Sequence, residues 1–300
     1  MEIYSQFIEK KDLVVALGYF DGMHLAHQKV ILSAVNYAKT RGLKSAVITF
    51  KTAPACYFKN LETKYICSLE ERLKRIEALG VDYVFVIDFA SIAKLTAYEY
   101  IRDCLVKNFS PKAIITGFNH TFGANKSGNE KLLTDLQKEF GYEYIEIQPE
   151  KIDDEVISST RIRNYLSLGE IEKANSMLGK DFSISGEVIQ GQHLGRTIGF
   201  KTANILYPKN IVDIKNGVYG ARVIVKNKLY RGILNLGVKP TVSNENKRIL
   251  EVNIFDFDEN IYGENIKIEF EEMIREEKKF ASLEELKNQI SKDVEYWRNK

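Results

Sequence analysis

The sequence predicts two folded modules in series: a doubly wound α/β domain over residues 1–182, then a small antiparallel β-barrel with a C-terminal helix over residues 183–300. Three observations predict it. From residue 13 to about 147, short β-rich runs alternate with longer amphipathic stretches, the order that builds a parallel sheet. Past about residue 183 the hydrophobic period becomes two, with Gly, Asn and Pro at the joins. The 300 residues also exceed one ordinary core, taking about 150 residues per domain as the guide.

Taken in order, MEIYSQFIEKKD carries acidic residues where a secretory leader needs basic ones, and no apolar run approaches the roughly 18 residues of a membrane span. Neither secretion nor a membrane partner is expected. Strands are predicted at residues 13–17, 45–50, 83–88, 112–116 and 142–147. In SLEERLKRIEALG, Ser68 and Glu71 form a capping box and Gly80 supplies a left-handed stop. Residues 159–180 read as two short joining helices. SISGEVIQG, GVYGARVIV, KLYRGILNLG, ILEVNIF and NIKIEF read as barrel strands. The chain closes with SLEELKNQISKDVEYW, boxed by Ser282 and Glu285, with Leu283, Leu286, Ile290, Val294 and Trp297 on one helical face placed to cover the barrel.

Composition narrows the function. With 43 basic against 41 acidic residues and each half near neutrality, the surface lacks the footprint of a duplex binder, so small anionic ligands fit better than nucleic acid. Cys56, Cys67 and Cys104 are odd in number and form no CxxC pair, which argues against a disulfide framework or structural zinc and for a reducing cytoplasm.

A doubly wound sheet binds ligands beyond the carboxyl ends of its strands, so the first turn after Leu17 is where chemistry is expected. There GYFDGMHLAH, Gly18 to His27, sets two glycines and two histidines at a strand-to-helix turn. Free N–H groups at the helix start and imidazole donors from His24 and His27 suit charge developing on a triphosphate. Taken alone, HxxH is as readily a surface pair. ISSTRIR, Ile157 to Arg163, adds hydroxyls and guanidiniums at another helix start, again suited to phosphate oxygens, although an isolated Ser-Ser-Thr is more often only a cap. In GEVIQGQHLGRTIGFKTANI, Gly186 to Ile205, strand alternation puts Thr202 and Asn204 on one face. A hydroxyl and an amide oxygen are hard ligands for Mg²⁺ held against ATP phosphates, and the glycine-rich loop brings bare backbone close.

Those motifs carry a resemblance. GxFDGxHxGH at Gly18 to His27, the Thr49-Phe50 pair, SLEERL, GVDYVFV, GxxxxFG at Gly117 to Gly123 and ISSTRIR are similar to the FAD synthetase half of the bacterial bifunctional riboflavin kinase/FMN adenylyltransferases. The Gly186 to Ile205 stretch, GVYGARV, NLGVKPT, LEVNIFDFDENIYG and MIREEKKF resemble the riboflavin kinase half. The resemblance implies a Rossmann-like nucleotidyltransferase domain and a cytoplasmic transferase that converts riboflavin to FMN and FMN to FAD with ATP and Mg²⁺, releasing pyrophosphate in the second step. It implies catalytic roles for His24, His27 and Glu251, the last as general base. It further implies ATP or phosphate contacts for Gly18, Phe20, Asp21, Gly22, Ser159, Thr160, Arg163, Gly191, Gly195 and Arg196, flavin contacts for Asn119, Phe122, Gly123 and Arg275, and metal ligation for Thr202 and Asn204. Five places depart from the pattern: Ala26 for glycine, Thr52-Ala53 for Pro-His, Asn119-His120 for Asp-Phe, Lys201 for proline and Asn253 for histidine. Two alternatives stay open: an FAD synthetase with an impaired, flavin-binding kinase module, because of Lys201 and Asn253, and a non-enzymatic flavin or nucleotide sensor. The oligomeric state is not set by the sequence.

Overall fold

The computed structural model describes residues 1–59, 64–191, 199–240 and 246–300, which fall into two compact units, Met1–Ser159 and Thr160–Lys300. In the first, six parallel strands, β1 (Glu2–Tyr4), β2 (Leu13–Leu17), β3 (Lys44–Phe50), β4 (Tyr83–Ile87), β5 (Ala113–Gly117) and β6 (Glu143–Ile147), lie in the order β1-β4-β3-β2-β5-β6. All five residues of β2 are buried, as expected of a central parallel strand covered on both faces. Helix Leu25–Thr40 packs Val30, Ile31, Ala34 and Ala38 on one face, against Val14, Val47, Val84 and Ile115. The run from Ala97 to Phe109 packs Ile101, Leu105 and Phe109 on the other, against Val15, Ile48 and Phe85. Its middle, Tyr100–Val106, is π-helical, a deviation frequent at functional sites. Strand β1 was not expected. Three residues are too few for a period to register, and the strand is held by its ladder to β4 and by Tyr4 stacked on Phe85.

The chain leaves β2 toward β3 and β4, then returns to β5 on the other side. The sheet's switch point therefore lies between the ends of β2 and β5, at Gly18 and Gly117. The turn after β2 is strained: Phe20, Gly22 and Met23 all have left-handed φ (57°, 80° and 50°). Helix Leu69–Ala78, capped by Ser68 as expected, holds it. Buried Arg72 donates from Nη1 to the Tyr19 carbonyl at 2.7 Å and from Nη2 to the Phe50 carbonyl at 2.8 Å, and Arg75 donates to the Gly22 carbonyl at 2.6 Å. Asp21 accepts from the Ile66 N–H at 3.1 Å. A Cβ on Gly22 would stand 2.9 Å from the Ile66 side chain, so glycine is required there by space as well as by φ.

In the second unit, β9 (Phe182–Ile189), β10 (Ala203–Leu206), β11 (Gly217–Val225), β12 (Lys228–Pro240), β13 (Asn246–Ile254) and β14 (Asn265–Glu276) close an antiparallel barrel ordered β10-β13-β12-β11-β14-β9. A short hairpin, β7 (Lys151–Ile152) with β8 (Glu155–Val156), belongs to the first unit. Helices Ser159–Leu168 and Ile171–Leu178 appear where two joining helices were expected, and the second is tied to the barrel: Asn175 donates to the Phe270 carbonyl and accepts from the Phe182 N–H. The C-terminal helix Leu283–Asn299 lays Val294 and Trp297 against Val218, Ile233 and Phe255. A Cβ on Gly220 would meet the Trp297 ring at 2.3 Å, so the strand yields a glycine to the indole. Leu283 departs from the expected covering face. It is 55% exposed, because the apolar stripe begins one turn before the helix reaches the barrel.

Arg72 is the only described side chain seen to bridge the carbonyls of Tyr19 and Phe50. Arg72→Lys keeps the charge but loses the planar fork, and should destabilise the α/β unit by about 2 kcal/mol. Urea unfolding checks this: the far-UV circular dichroism transition of the first unit should move to lower urea, while the fluorescence transition of Trp297, the sole tryptophan and a barrel residue, stays in place.

Candidate active sites

The first site is the turn after β2. His24 is the N-cap of helix Leu25–Thr40, and its Nδ1 accepts from the His27 N–H at 3.3 Å, which puts the proton of the neutral ring on Nε2. The two imidazoles stack with centroids 3.5 Å apart, and Phe20 meets His27 edge-on at 5.3 Å. Burial pushes His24 down to about 4, and burial, then the neighbouring His24 and Arg72, hold His27 well below the usual histidine range. Both rings are therefore neutral donors at pH 7 rather than cations. Among the described residues, the buried His27 Nδ1 has no hydrogen-bond partner. Ser159 donates to the Asp21 carbonyl at 3.1 Å, so this residue reaches the same turn. Thr160 and Arg163 follow on the first turn of helix Ser159–Leu168 and belong to the second unit.

Several expected phosphate residues shape the turn. The Asp21 carboxylate faces the Ile66 N–H, the Phe20 ring is buried in the core, and a Cβ on Gly18 would lie 2.7 Å from that ring. Beyond the ends of β2 and β3 opens a cavity of about 560 Å³, whose wall includes Gly18, Phe50, Phe58, Phe89, Tyr100 and Phe122. Of the expected flavin residues it brings in Phe122 and Gly123; a Cβ on Gly123 would strike the Ala97 backbone at 2.6 Å. Asn119 is exposed and is not on this wall, whereas its neighbour His120 is. The aromatic wall was missed apart from Phe50 and Phe122, since its residues come from five separate segments and share no local pattern.

The second site lies between β10, β13 and β12. Glu251 stands opposite Asn204 in one ladder and opposite Asn235 in the other, and Thr202, Asn235, Glu251, Asn253 and Arg275 all line a cavity of about 290 Å³. Asn204 is buried under Gly191, where a Cβ would fall 2.4 Å from its Nδ2. Arg275 donates from Nε to Asp293 at 2.8 Å, and the buried Asp293 also accepts from Gln289, which ties the cavity wall to the C-terminal helix. Asn235 and Asp293 were missed, for their importance rests on register and burial. Thr202 also borders a neighbouring polar cavity of about 340 Å³ that holds Lys201, Asp258 and Asn260. Gly195 and Arg196 lie outside the described residues. Among the described residues no cluster of three or more His, Cys, Asp or Glu is arranged to hold a metal, no disulfide joins Cys56, Cys67 or Cys104, and no helix is long and apolar enough to cross a membrane.

A family model described as FAD synthetase matches residues 7–161, and one described as riboflavin kinase matches residues 178–300. A bifunctional riboflavin kinase/FMN adenylyltransferase of Bacillus subtilis (strain 168) is 38% identical over 291 residues, covering 95% of this chain and 91% of its own. That of Escherichia coli (strain K12) is 35% identical over 283 residues, covering 93% and 90%. A solved structure from Streptococcus pneumoniae, described as a macrolide-efflux protein, superposes over 100% of both chains with a TM-score of 0.91 at 33% identity. It shares the whole architecture, and its described activity is not carried over. With both halves matched in order and such relatives aligned over nearly the full length, the chain belongs to the bifunctional riboflavin kinase/FMN adenylyltransferase family.

Proposed function

We propose that this chain phosphorylates riboflavin to FMN in the barrel and adenylylates FMN to FAD in the α/β unit, with ATP as donor in both steps. The observation that carries the reading is that each half's motif closes on a cavity of its own: the glycine-histidine turn beside the aromatic cavity, and the Thr202 and Glu251 strands around the barrel cavity. In functional terms residues 1–182 serve the adenylylation and 183–300 the phosphorylation.

In the barrel, the ribityl 5′-hydroxyl oxygen attacks the γ-phosphorus, its proton passes to Glu251, and ADP leaves. Arg275, held by Asp293 and Gln289, orients the flavin in the cavity. Thr202 and Asn204 would hold Mg²⁺, for the hydroxyl, the amide oxygen and the nearby Glu251 carboxylate are all hard oxygen donors fitting that ion. Bound there with ATP, Mg²⁺ neutralises phosphate charge. Gly191, Gly195 and Arg196 are assigned to the nucleotide by the resemblance.

In the α/β unit an FMN phosphate oxygen attacks the α-phosphorus and pyrophosphate leaves. The attacking oxygen is already ionised, so no general base is required. Neutral His24 and His27 serve as hydrogen-bond donors to the phosphate oxygens, where negative charge builds. The resemblance assigns further phosphate contacts to Gly18, Gly22, Ser159, Thr160 and Arg163, while Phe20 and Asp21 hold the turn. The aromatic cavity takes the isoalloxazine ring between flat apolar walls that include Phe122 and Gly123, whereas Asn119 is assigned to the flavin by the resemblance alone. The chain works in the cytoplasm, without nucleic-acid or membrane partners.

Incubation with riboflavin, ATP and Mg²⁺, read by chromatography, should yield FMN and then FAD. FAD from supplied FMN, with no FMN from riboflavin, would leave only the adenylyltransferase. Glu251→Gln keeps shape but cannot take the proton, so phosphorylation should fall about 10²-fold with adenylylation unchanged. His24→Ala or His27→Ala should each raise the adenylylation barrier by about 2 to 4 kcal/mol and spare phosphorylation. The pH dependence has a definite sign. His24 protonates near 4 in the folded chain against 6.5 when unfolded, so the stability it contributes is present above 6.5 and is lost as pH falls toward 4. An NMR titration should find the His24 ring titrating near 4, and a value near 6.5 would remove the buried, neutral pair.

A further inference from the structure

The chain enters β10 through Lys201 and Thr202, and its ladder to β13 begins only at Ala203, opposite Val252. Lys201 and Thr202 stand before that first rung, where a strand end frays. Yet Thr202 borders both the barrel cavity with Glu251 and the neighbouring polar cavity, so the place of its hydroxyl decides what the two cavities share. One side chain extends the ladder across this gap. Asn253, one residue past Val252 on β13, donates from Nδ2 to the Lys201 carbonyl at 2.7 Å. On the other side of the same residue, the Lys201 ammonium pairs with Asp258 on the wall of the polar cavity. Residue 201 is thus gripped at its carbonyl and at its side chain, by groups that face different cavities.

We propose that Asn253 is a positioning residue for phosphorylation: through the Lys201 carbonyl it fixes the peptide that leads into Thr202, and so sets the Thr202 hydroxyl at the boundary between the two cavities. The proposal rests on the kinase reading of the barrel. It makes Lys201 and Asn253 a single unit, in which a cross-strand hydrogen bond does what a ring-constrained backbone would do at residue 201. Among the described residues the Lys201 N–H has no backbone acceptor, and a proline there would fix φ by itself. An error of about 1 Å in a positioned group is enough to slow a transfer step severely, so loss of the bond should be read in turnover and not in binding.

The test compares wild type, Asn253→Ala and Lys201→Pro/Asn253→Ala in the full chain, with riboflavin phosphorylation and FMN adenylylation measured on the same preparations. Asn253→Ala should lower kcat for phosphorylation about tenfold, with KM for riboflavin within about twofold of wild type and adenylylation unaltered. Lys201→Pro in that background should restore kcat to within about threefold of wild type, a rescue that general destabilisation of the barrel would not show. The Trp297 fluorescence melt reports whether the barrel is folded, and Asn253→Ser replaces the alanine variant if that one is not. Full kcat without the amide, a change confined to KM, or a loss in a folded barrel that Lys201→Pro does not relieve would each overturn the proposal. Absence of phosphorylation in wild type, with adenylylation intact, would instead sink the kinase reading on which it rests.

Discussion

Arg72 joins two ends of the central sheet through two carbonyls, that of Tyr19 just after β2 and that of Phe50 at the end of β3. The turn after β2 depends on this grip. Three left-handed residues in four positions are unfavourable for any chain, and the conformation persists only because Arg72, Arg75, Thr49 and the Asp21 to Ile66 bond take up its polar groups. The turn in turn sets His24 at the start of a 16-residue helix and stacks His27 upon it. A helix carrying Ser68 and Glu71 thus does more than cover the sheet, since its arginines hold the site together.

The two units solve opposite problems with the same nucleotide. On the proposed reading, adenylylation starts from a phosphate oxygen that is already charged, beside a turn whose two imidazoles are kept neutral near pH 7 by burial. Phosphorylation starts from a hydroxyl that must lose a proton, and its cavity holds a carboxylate flanked by two asparagines in register.

Close approach, more than flexibility, explains several of the glycines. Gly191 leaves space for buried Asn204, Gly220 for the Trp297 ring and Gly123 for the Ala97 backbone. The C-terminal helix is tied to the barrel cavity by one ion pair, since Asp293 holds Arg275 on the cavity wall. Breaking such a pair leaves a buried charge without its partner, which makes the helix more than a cover.

Much of this was determined by the sequence alone, wherever the cause is local. The period change near residue 183, the caps at Ser68 and Ser282, the glycine-histidine turn and the Thr202 to Asn204 spacing each follow from residues within a few positions of one another, and the strands, the two modules and the family were legible from them. What only the tertiary structure decided joins residues far apart in the chain. Arg72 reaches carbonyls 53 and 22 residues away, the aromatic cavity is gathered from five segments, and Glu251 is placed between Asn204 and Asn235 by strand register. The exposure of Leu283 and the neutrality of the histidine pair belong here too. A local pattern states which face of an element is apolar, but hydrogen-bond partners, burial and the proton affinity of a side chain depend on what the fold brings against it.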